Sequence, residues 1–198
     1  MSVKSLSSSS LTNNVFYRSL LAGSDPFIPF IAADDLLEEI TLTSSASSVT
    51  FTGLGSYSDY KHLQIRMVSR STSTSGNNVG FRMNGDTGSN YASHRLYGNG
   101  SGVFPSSASS IDKALYYLQP ISSDDTGNFG SGIIDLLDFS STSKTATLRW
   151  MYGFQTTNSH VGLCSGLWNN TAAVTSLEIA PFSDNFAIGS RFSLVGIR

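Results

Sequence analysis

The chain has 198 residues, enough for one domain with a buried core, and only 13% of them are charged, about half the usual share. With 12 Lys and Arg against 14 Asp and Glu, it lacks the cationic excess that neutralises phosphates, which excludes a nucleic-acid-binding role. No run of about 18 apolar residues occurs, so membrane insertion is not expected. The low charge instead indicates surfaces covered by neighbouring subunits, because a free chain this neutral tends to associate.

Residues 1–35 differ from the rest of the chain and are predicted to form an N-terminal docking arm. A Ser-rich start is followed by VFYRSLLA, a short helix that Asn13 or Asn14 caps and Gly23 ends. The two prolines of DPFIPF then force an extended path. The arm either folds back over the remaining domain or docks into a partner. The predicted partner-docking residues are the apolar anchors Phe16, Tyr17, Leu20, Leu21, Phe27, Ile28, Phe30 and Ile31.

Residues 36–198 alternate apolar and polar side chains in short segments separated by turn residues, which predicts an all-β domain. Amphipathic helices are missing between these segments, and no repeat of fixed period is present, so an α/β fold and a propeller are disfavoured. We predict a jelly-roll-like antiparallel β-sandwich of about nine to eleven strands. The candidate strands are 37–43, 48–54, 62–70, 79–85, 93–98, 113–119, 131–139, 145–154, 160–168, 174–181 and 192–198.

No pattern in the chain predicts catalysis, a metal site or a cofactor. His62, His94 and His160 are isolated, whereas a zinc site needs three or four ligands at local spacing. Cys164 and Ser165 follow His160 in a strand-like segment with no orienting partner for a nucleophile. Pairs of carboxylates at strand spacing i, i+2, which a glycosidase on a sandwich would use, are missing as well. We therefore predict a protein that is not an enzyme.

The NGDTGSN loop, residues 84–90, is predicted to contain a type I′ turn at Asn84-Gly85. Its oxygen-bearing side chains also match part of a calcium loop, and this alternative stays open.

Aromatic residues near loops and strand ends make carbohydrate contact a second open question. Aromatic faces combined with Asn and Ser hydrogen-bonding groups suit sugar rings, although ordinary core packing explains the same residues. The candidate glycan-contacting residues are Tyr91, Tyr97 and Trp168.

The start of the chain, MSVKSLSSSS, lacks the apolar region of a secretory signal, and the single cysteine cannot form an internal disulfide. Both features predict a protein made in a reducing cytoplasm.

Several separated blocks resemble a family of small virion structural proteins of tailed bacteriophages, especially phages of marine bacteria and cyanobacteria. The resemblance covers about two thirds of the chain, from residue 48 to the end, and leaves residues 1–35 outside. The blocks are YKHLQIRM (60–67), FRMNGDTGSNYASHRLYGNGS (81–101), SGIIDLLDFSSTSK (131–144), GLCSGLWNNTAAVTSLEI (162–179) and FSDNFAIGSRFSLVGIR (182–198).

The resemblance implies a β-sandwich that serves as a tail fibre or another structural protein of the virion, without catalytic residues. Two functions remain open at this point. One is a tail fibre or baseplate-associated module that docks through its arm and contributes to host-surface attachment, with a surface glycan as partner. The other is a capsid decoration protein that braces the head lattice. Either function predicts contact with other virion proteins and a homo-oligomer, with a trimer favoured because fibres and capsid threefold sites share that symmetry. The predicted location is the virion, assembled in the cytoplasm of the host bacterium.

Overall fold

The computed structural model describes residues 34–75, 77–156 and 159–198, which contain twelve strands and one short 3-10 helix, Leu54–Tyr57. By its internal contacts the chain divides into two units, Met1–Asp35 and Leu36–Arg198, and the second unit contains almost all of the described residues. The predicted arm helix and the anchor residues between positions 16 and 31 lie outside the described residues. The strands are Asp34–Thr41 (β1), Val49–Thr52 (β2), His62–Ser69 (β3), Asn77–Met83 (β4), Tyr91–Gly98 (β5), Val103–Ile111 (β6), Ala114–Gln119 (β7), Gly130–Leu137 (β8), Ala146–Phe154 (β9), His160–Trp168 (β10), Ser176–Pro181 (β11) and Arg191–Ile197 (β12).

The strands form two antiparallel sheets, a large one in the order β1-β12-β3-β8-β9-β10-β5-β6 and a small one in the order β2-β11-β4-β7. If the β5–β6 and β9–β10 hairpins are set aside, eight strands remain in the orders β1-β12-β3-β8 and β2-β11-β4-β7. In this arrangement the first strand, β1, is next to the last, β12, in the large sheet, and the second strand, β2, is next to the second-to-last, β11, in the small sheet, which is the jelly-roll topology. The prediction of an all-β, jelly-roll-like sandwich is confirmed. The two hairpins are additions that extend the large sheet.

The core lies between the sheets and follows the side-chain alternation of the strands. On β9, for example, Ala146, Leu148, Trp150 and Tyr152 are buried, while the residues between them point outward. The edge strand β7 of the small sheet packs over β5, β9 and β10, so the small sheet covers part of the added hairpins as well as the jelly roll. The outer face of the large sheet has no such cover among the described residues.

One strand was not predicted from the sequence. Val103–Ile111 forms β6, the edge strand beside β5, although its sequence, VFPSSASSI, is Ser-rich and contains Pro105. A proline has no N–H to donate. In a central strand every backbone N–H faces a neighbouring strand, whereas in an edge strand half of them face away from the sheet, so an edge strand tolerates a proline. The position of β6 at the edge therefore explains why this sequence forms a strand there.

Candidate interaction surfaces

Four partly stacked aromatic rings lie across the tips of the two added hairpins, and we call them the hairpin-tip ladder. Phe104 on β6 packs on Tyr97 of β5, with ring centroids 5.4 Å apart and planes at 32°. Tyr97 stacks on His160 of β10 at 5.6 Å and 29°, and His160 packs on Phe154 of β9 at 5.4 Å and 35°. The guanidinium of Arg95 lies 4.0 Å from the centroid of the Tyr97 ring, within cation–π distance.

Strand register brings these rings together. Phe104 is directly opposite Tyr97, and His160 is directly opposite Phe154. The four strands follow one another in the large sheet as β6-β5-β10-β9. Between the hairpins Tyr97 is opposite Gly162, and His160, two residues away on β10, is its diagonal neighbour, within reach of an aromatic ring. The turn between β5 and β6 is held by the side chain of Asn99, whose Oδ1 accepts hydrogen bonds from the N–H and the hydroxyl of Ser101.

A shallow groove of about 570 Å³ runs between the two hairpin tips and is lined by two of the ladder rings, Phe154 and His160. Glycines form part of its floor, so a ligand could approach the backbone closely. Burial, and to a lesser extent the nearby Arg95 charge, lower the pKa of His160, which keeps its imidazole neutral at neutral pH. The groove is lined by Gly98, Gly100, Ser101, Gly102, Val103, Phe154, Gln155, Ser159, His160 and Val161.

The outer face of the large sheet carries a second feature, a row of apolar side chains at right angles to the strands. Cross-strand register aligns Ile133, Met151, Leu163, Leu96 and Pro105, one residue from each of five consecutive strands. On the neighbouring row, Val161 and Val103 face Gly98 from either side. All seven apolar residues are exposed. We call them the outer apolar patch.

A polar row borders this patch on its other side. Asp135 accepts hydrogen bonds from Gln64 Nε2 at 2.9 Å and from Arg149 Nε at 2.8 Å, so both of its carboxylate oxygens are engaged. Between this row and the patch lies a hollow of about 250 Å³, lined by Ile133, Asp135, Arg149, Trp150, Met151, Leu163 and Cys164. The hollow is more apolar than the hairpin-tip groove and is large enough for one apolar side chain.

Among the three candidate glycan-contacting residues, the structure separates Tyr97 from the other two. Tyr97 belongs to the hairpin-tip ladder. Tyr91 and Trp168 stack on each other in the core at 6.5 Å, and each is 1% exposed. The Tyr91 hydroxyl hydrogen-bonds to backbone atoms of Met83, and burial raises the pKa of Tyr91 to about 12. Neither buried ring presents a face to a ligand, so both residues are excluded from the site.

The NGDTGSN loop contains the predicted turn. Asn84 and Gly85 have φ of 51° and 65°, and the Asp86 N–H donates to the Met83 carbonyl, which defines a type I′ turn. The Asp86 carboxylate accepts hydrogen bonds from Trp168 Nε1 at 2.7 Å, from Asn90 Nδ2 and from the Gly88 N–H. These donors, chiefly the Trp168 indole, hold the pKa of Asp86 below its ordinary value. Asn84 Oδ1 accepts hydrogen bonds from the N–H groups of Thr175 and Ser176. Two of the side chains considered for calcium, Asn84 and Asp86, thus have their oxygens engaged in hydrogen bonds with the protein.

The other residues considered for chemistry are separated from one another. His62 Nδ1 accepts a hydrogen bond from the Asp138 N–H at 3.0 Å. His94 lies on the outer face of the large sheet in a shallow depression beside Ser107 and Ser165. Burial raises the pKa of the Cys164 thiol to about 12, so it stays protonated. Within the described residues, no cluster of three or more His, Cys, Asp or Glu side chains could hold a metal ion.

Sequence reasoning did not find the ladder as a whole or the outer apolar patch. The ladder depends on β6, which was not predicted, and on the register between two hairpins. The sequence nevertheless indicates the patch locally, because β8, β9 and β10 carry apolar side chains on both faces of the sheet. In TLRWM on β9, for example, Met151 faces outward and Trp150 faces the core. A strand that is apolar on both faces indicates that both faces are to be covered.

Comparison with known proteins identifies no relative of the chain: no protein-family model matches it, and no curated protein or solved structure is significantly similar to it. Within the part of the chain that the structure describes, no helix is long and apolar enough to span a bilayer.

Proposed function

We propose that the chain is a non-enzymatic structural module of a bacteriophage particle, associated with the tail fibre or baseplate and contributing to attachment to the host surface. The sequence blocks that resemble phage virion proteins support this proposal. The jelly-roll topology is compatible with it, since the same architecture recurs in viral capsid and lectin domains, although one fold serves many functions.

The observation that carries the proposal is the hairpin-tip ladder with its groove. The two hairpins are the part that this chain adds to a jelly roll, and their tips collect four rings at one site. Aromatic surface beside hydroxyl, amide and backbone groups is the combination that binds sugar rings, because the apolar ring faces pack while the polar groups hydrogen-bond the hydroxyls. Tyr97, Phe104, Phe154 and His160 are the residues that we assign to this contact. A bacterial surface polysaccharide is the ligand class.

A second function, capsid decoration, is favoured by a different observation. The outer apolar patch is a surface that a brace between capsid subunits would bury, and its centre carries no charged side chain. The predicted trimer and the docking arm fit either function. The arm would anchor the module to the particle, and the particle's symmetry would set the number of copies.

Cryo-electron microscopy of the intact particle tests the proposal. Density that fits this sandwich at the tail tip, a fibre or the baseplate is the expected result. Density distributed over the head lattice would replace attachment by decoration, and a particle without such density would contradict both functions. A chain that lacks residues 1–35 should be missing from purified particles. Its normal incorporation would contradict the docking role of the arm.

A further inference from the structure

The outer apolar patch is large for the surface of a free protein. The exposed parts of its side chains amount to roughly 600 Å², which is the upper end for the largest apolar patch on a monomer and most of the ~800 Å² that one partner contributes to a standard interface. The patch is also continuous, because strand register places Ile133, Met151, Leu163 and Leu96 side by side. A surface of this size and continuity indicates a protein contact.

The Asp135 carboxylate at the border of the patch can be buried without being left unpaired. Asp135 already accepts hydrogen bonds from Gln64 and Arg149, so a partner that covers this row meets a satisfied carboxylate. The long Arg149 side chain is otherwise exposed and can remain at the solvated rim of an interface.

The described residues carry no second exposed apolar surface of this size. Phe104 is the one exposed ring of the hairpin-tip ladder, and the other three ladder rings are half-buried. The remaining exposed large apolar side chains occur singly: Leu36 on β1, Phe182 after β11 and Ile188 before β12. A head-to-tail contact would need a second, different apolar patch, whereas a contact related by a twofold axis pairs one patch with itself. A net charge of −2 opposes such pairing only weakly.

We infer that the outer face of the large sheet is an interface between two copies of this chain, packed face to face about a twofold axis. The two sheets would lie about 10 Å apart, as sheets do in a sandwich. In this arrangement the hollow beside Met151 and Leu163 receives an apolar side chain of the partner copy, and the same contact is repeated on the other side of the axis. Any threefold contact then uses other parts of the molecule.

This inference stands apart from the attachment proposal. Val103 and Val161 belong to the patch and also line the groove, but the four ladder rings are not in the patch. Replacements at the rings therefore test attachment, replacements at Leu163 test the interface, and either idea can fail while the other holds. Pairing through this face is compatible with a location on the tail or on the head.

Light scattering after size-exclusion chromatography of the full-length chain tests the interface. We expect the unmodified chain to have the mass of an even number of copies and Leu163→Glu to halve that mass. Leu163 is 58% exposed, so glutamate there should leave folding intact, which circular dichroism and the melting temperature check. Ile188→Glu is the matched control, because Ile188 is 62% exposed but lies outside the patch, and its mass should equal that of the unmodified chain.

A second variant keeps the test independent of electrostatic effects. Leu163→Cys should be cross-linked between two copies by a flexible bismaleimide, which spans the gap between two packed sheets, whereas Ile188→Cys should not. An unmodified chain that is monomeric, an equal mass for Leu163→Glu and the unmodified chain, or a mass reduced to one third would overturn the inference. Recovery of a monomeric chain in complex with a different virion protein would assign the patch to that protein instead.

Discussion

Replacing Gly162 by alanine is expected to destabilise the sandwich by about 2 kcal/mol, because the position is filled by the ring of Tyr152. Gly162 lies on β10 directly opposite Tyr152 on β9, and the ring folds over the glycine. A Cβ at Gly162 would lie 2.6 Å from Tyr152 Oη and closer still to two ring carbons, well inside the 3.4–4 Å of ordinary contact. The side chain must therefore move if a methyl group is added.

The surroundings of Tyr152 prevent an easy movement. The residue is 1% exposed, and its ring packs at 5.3 Å against Tyr117, which in turn covers Gly132. Overpacking costs about 1–3 kcal/mol, and a contact this close lies at the upper end of that range. The reduced entropy of the unfolded chain on Gly→Ala replacement returns only about 0.4–1 kcal/mol, which leaves a net loss of about 2 kcal/mol. The net loss corresponds to a melting temperature lower by roughly 4–8 °C for a chain of this length.

Gly153→Ala is the matched control. Gly153 lies on β9, and the nearest atom to a Cβ there, outside its chain neighbours, is the His160 carbonyl oxygen at 3.6 Å, an ordinary contact. We expect a change within about 0.5 kcal/mol of zero for this variant. Urea unfolding followed by the fluorescence of the two buried tryptophans, Trp150 and Trp168, measures both variants.

A double-mutant cycle isolates the contact itself. In a Tyr152→Leu background the Gly162→Ala replacement should cost almost nothing, which gives a coupling free energy of about 1–2 kcal/mol. Equal stability of Gly162→Ala and Gly153→Ala in the otherwise unmodified chain would refute the packing argument.

Three further predictions concern a loop, a turn and the candidate site. The buried guanidinium of Arg70 donates hydrogen bonds to four carbonyl oxygens of the loop between β7 and β8. Arg70→Met should therefore lower the free energy of unfolding by about 2–4 kcal/mol and expose this loop to proteases. An unchanged rate of cleavage in the loop would contradict this role. The pKa of Asp86 is lowered in the fold, so its carboxylate stabilises the fold above the ordinary pKa of 3.8, and this contribution is lost as the pH falls through the lower folded pKa. In urea unfolding, the free energy of unfolding should therefore fall less steeply with acid for Asp86→Asn than for the unmodified chain. Parallel pH profiles of the two proteins would contradict this role. Phe104→Ser and Phe154→Ser should each weaken binding to host surface polysaccharide by about 2–13-fold, as measured by calorimetry. Phe182→Ser replaces an exposed aromatic residue elsewhere and should leave the affinity unchanged. Equal affinities of the three variants would show that the ladder is not part of the binding site.

Much of the architecture could be predicted from local patterns. Each of the eleven candidate strands overlaps an observed one. The reason is that buried and exposed residues alternate along a strand, as on β9, so that the sequence alternates between apolar and polar side chains. The candidate at 48–54 is too long: it contains β2 as Val49–Thr52 and then continues into the 3-10 helix, since Gly53 has a φ of 67°. The Asn84-Gly85 turn was equally predictable, because few residues other than Asn, Asp and Gly adopt positive φ at two successive positions.

The roles of individual side chains were less accessible. Arg70 is the last residue of the candidate strand 62–70, but β3 ends at Ser69, and the guanidinium donates to a loop more than fifty residues further along the chain. Tyr91 and Trp168 looked suited to sugar contact by their residue type, yet both are core rings, and the Trp168 indole donates to Asp86. Which polar groups a side chain meets depends on segments that are remote in sequence.

The sequence by itself determined eleven of the twelve observed strands, the Asn84-Gly85 turn and the jelly-roll class, because these follow from side-chain periodicity and backbone preferences within a few residues. Only the tertiary structure decided the ladder of Tyr97, Phe104, Phe154 and His160 and the five-strand row through Leu163. Both surfaces depend on the register between hairpins, and a shift of one residue would turn every side chain to the opposite face. Register is set by the packing of the whole sandwich, which no single segment encodes.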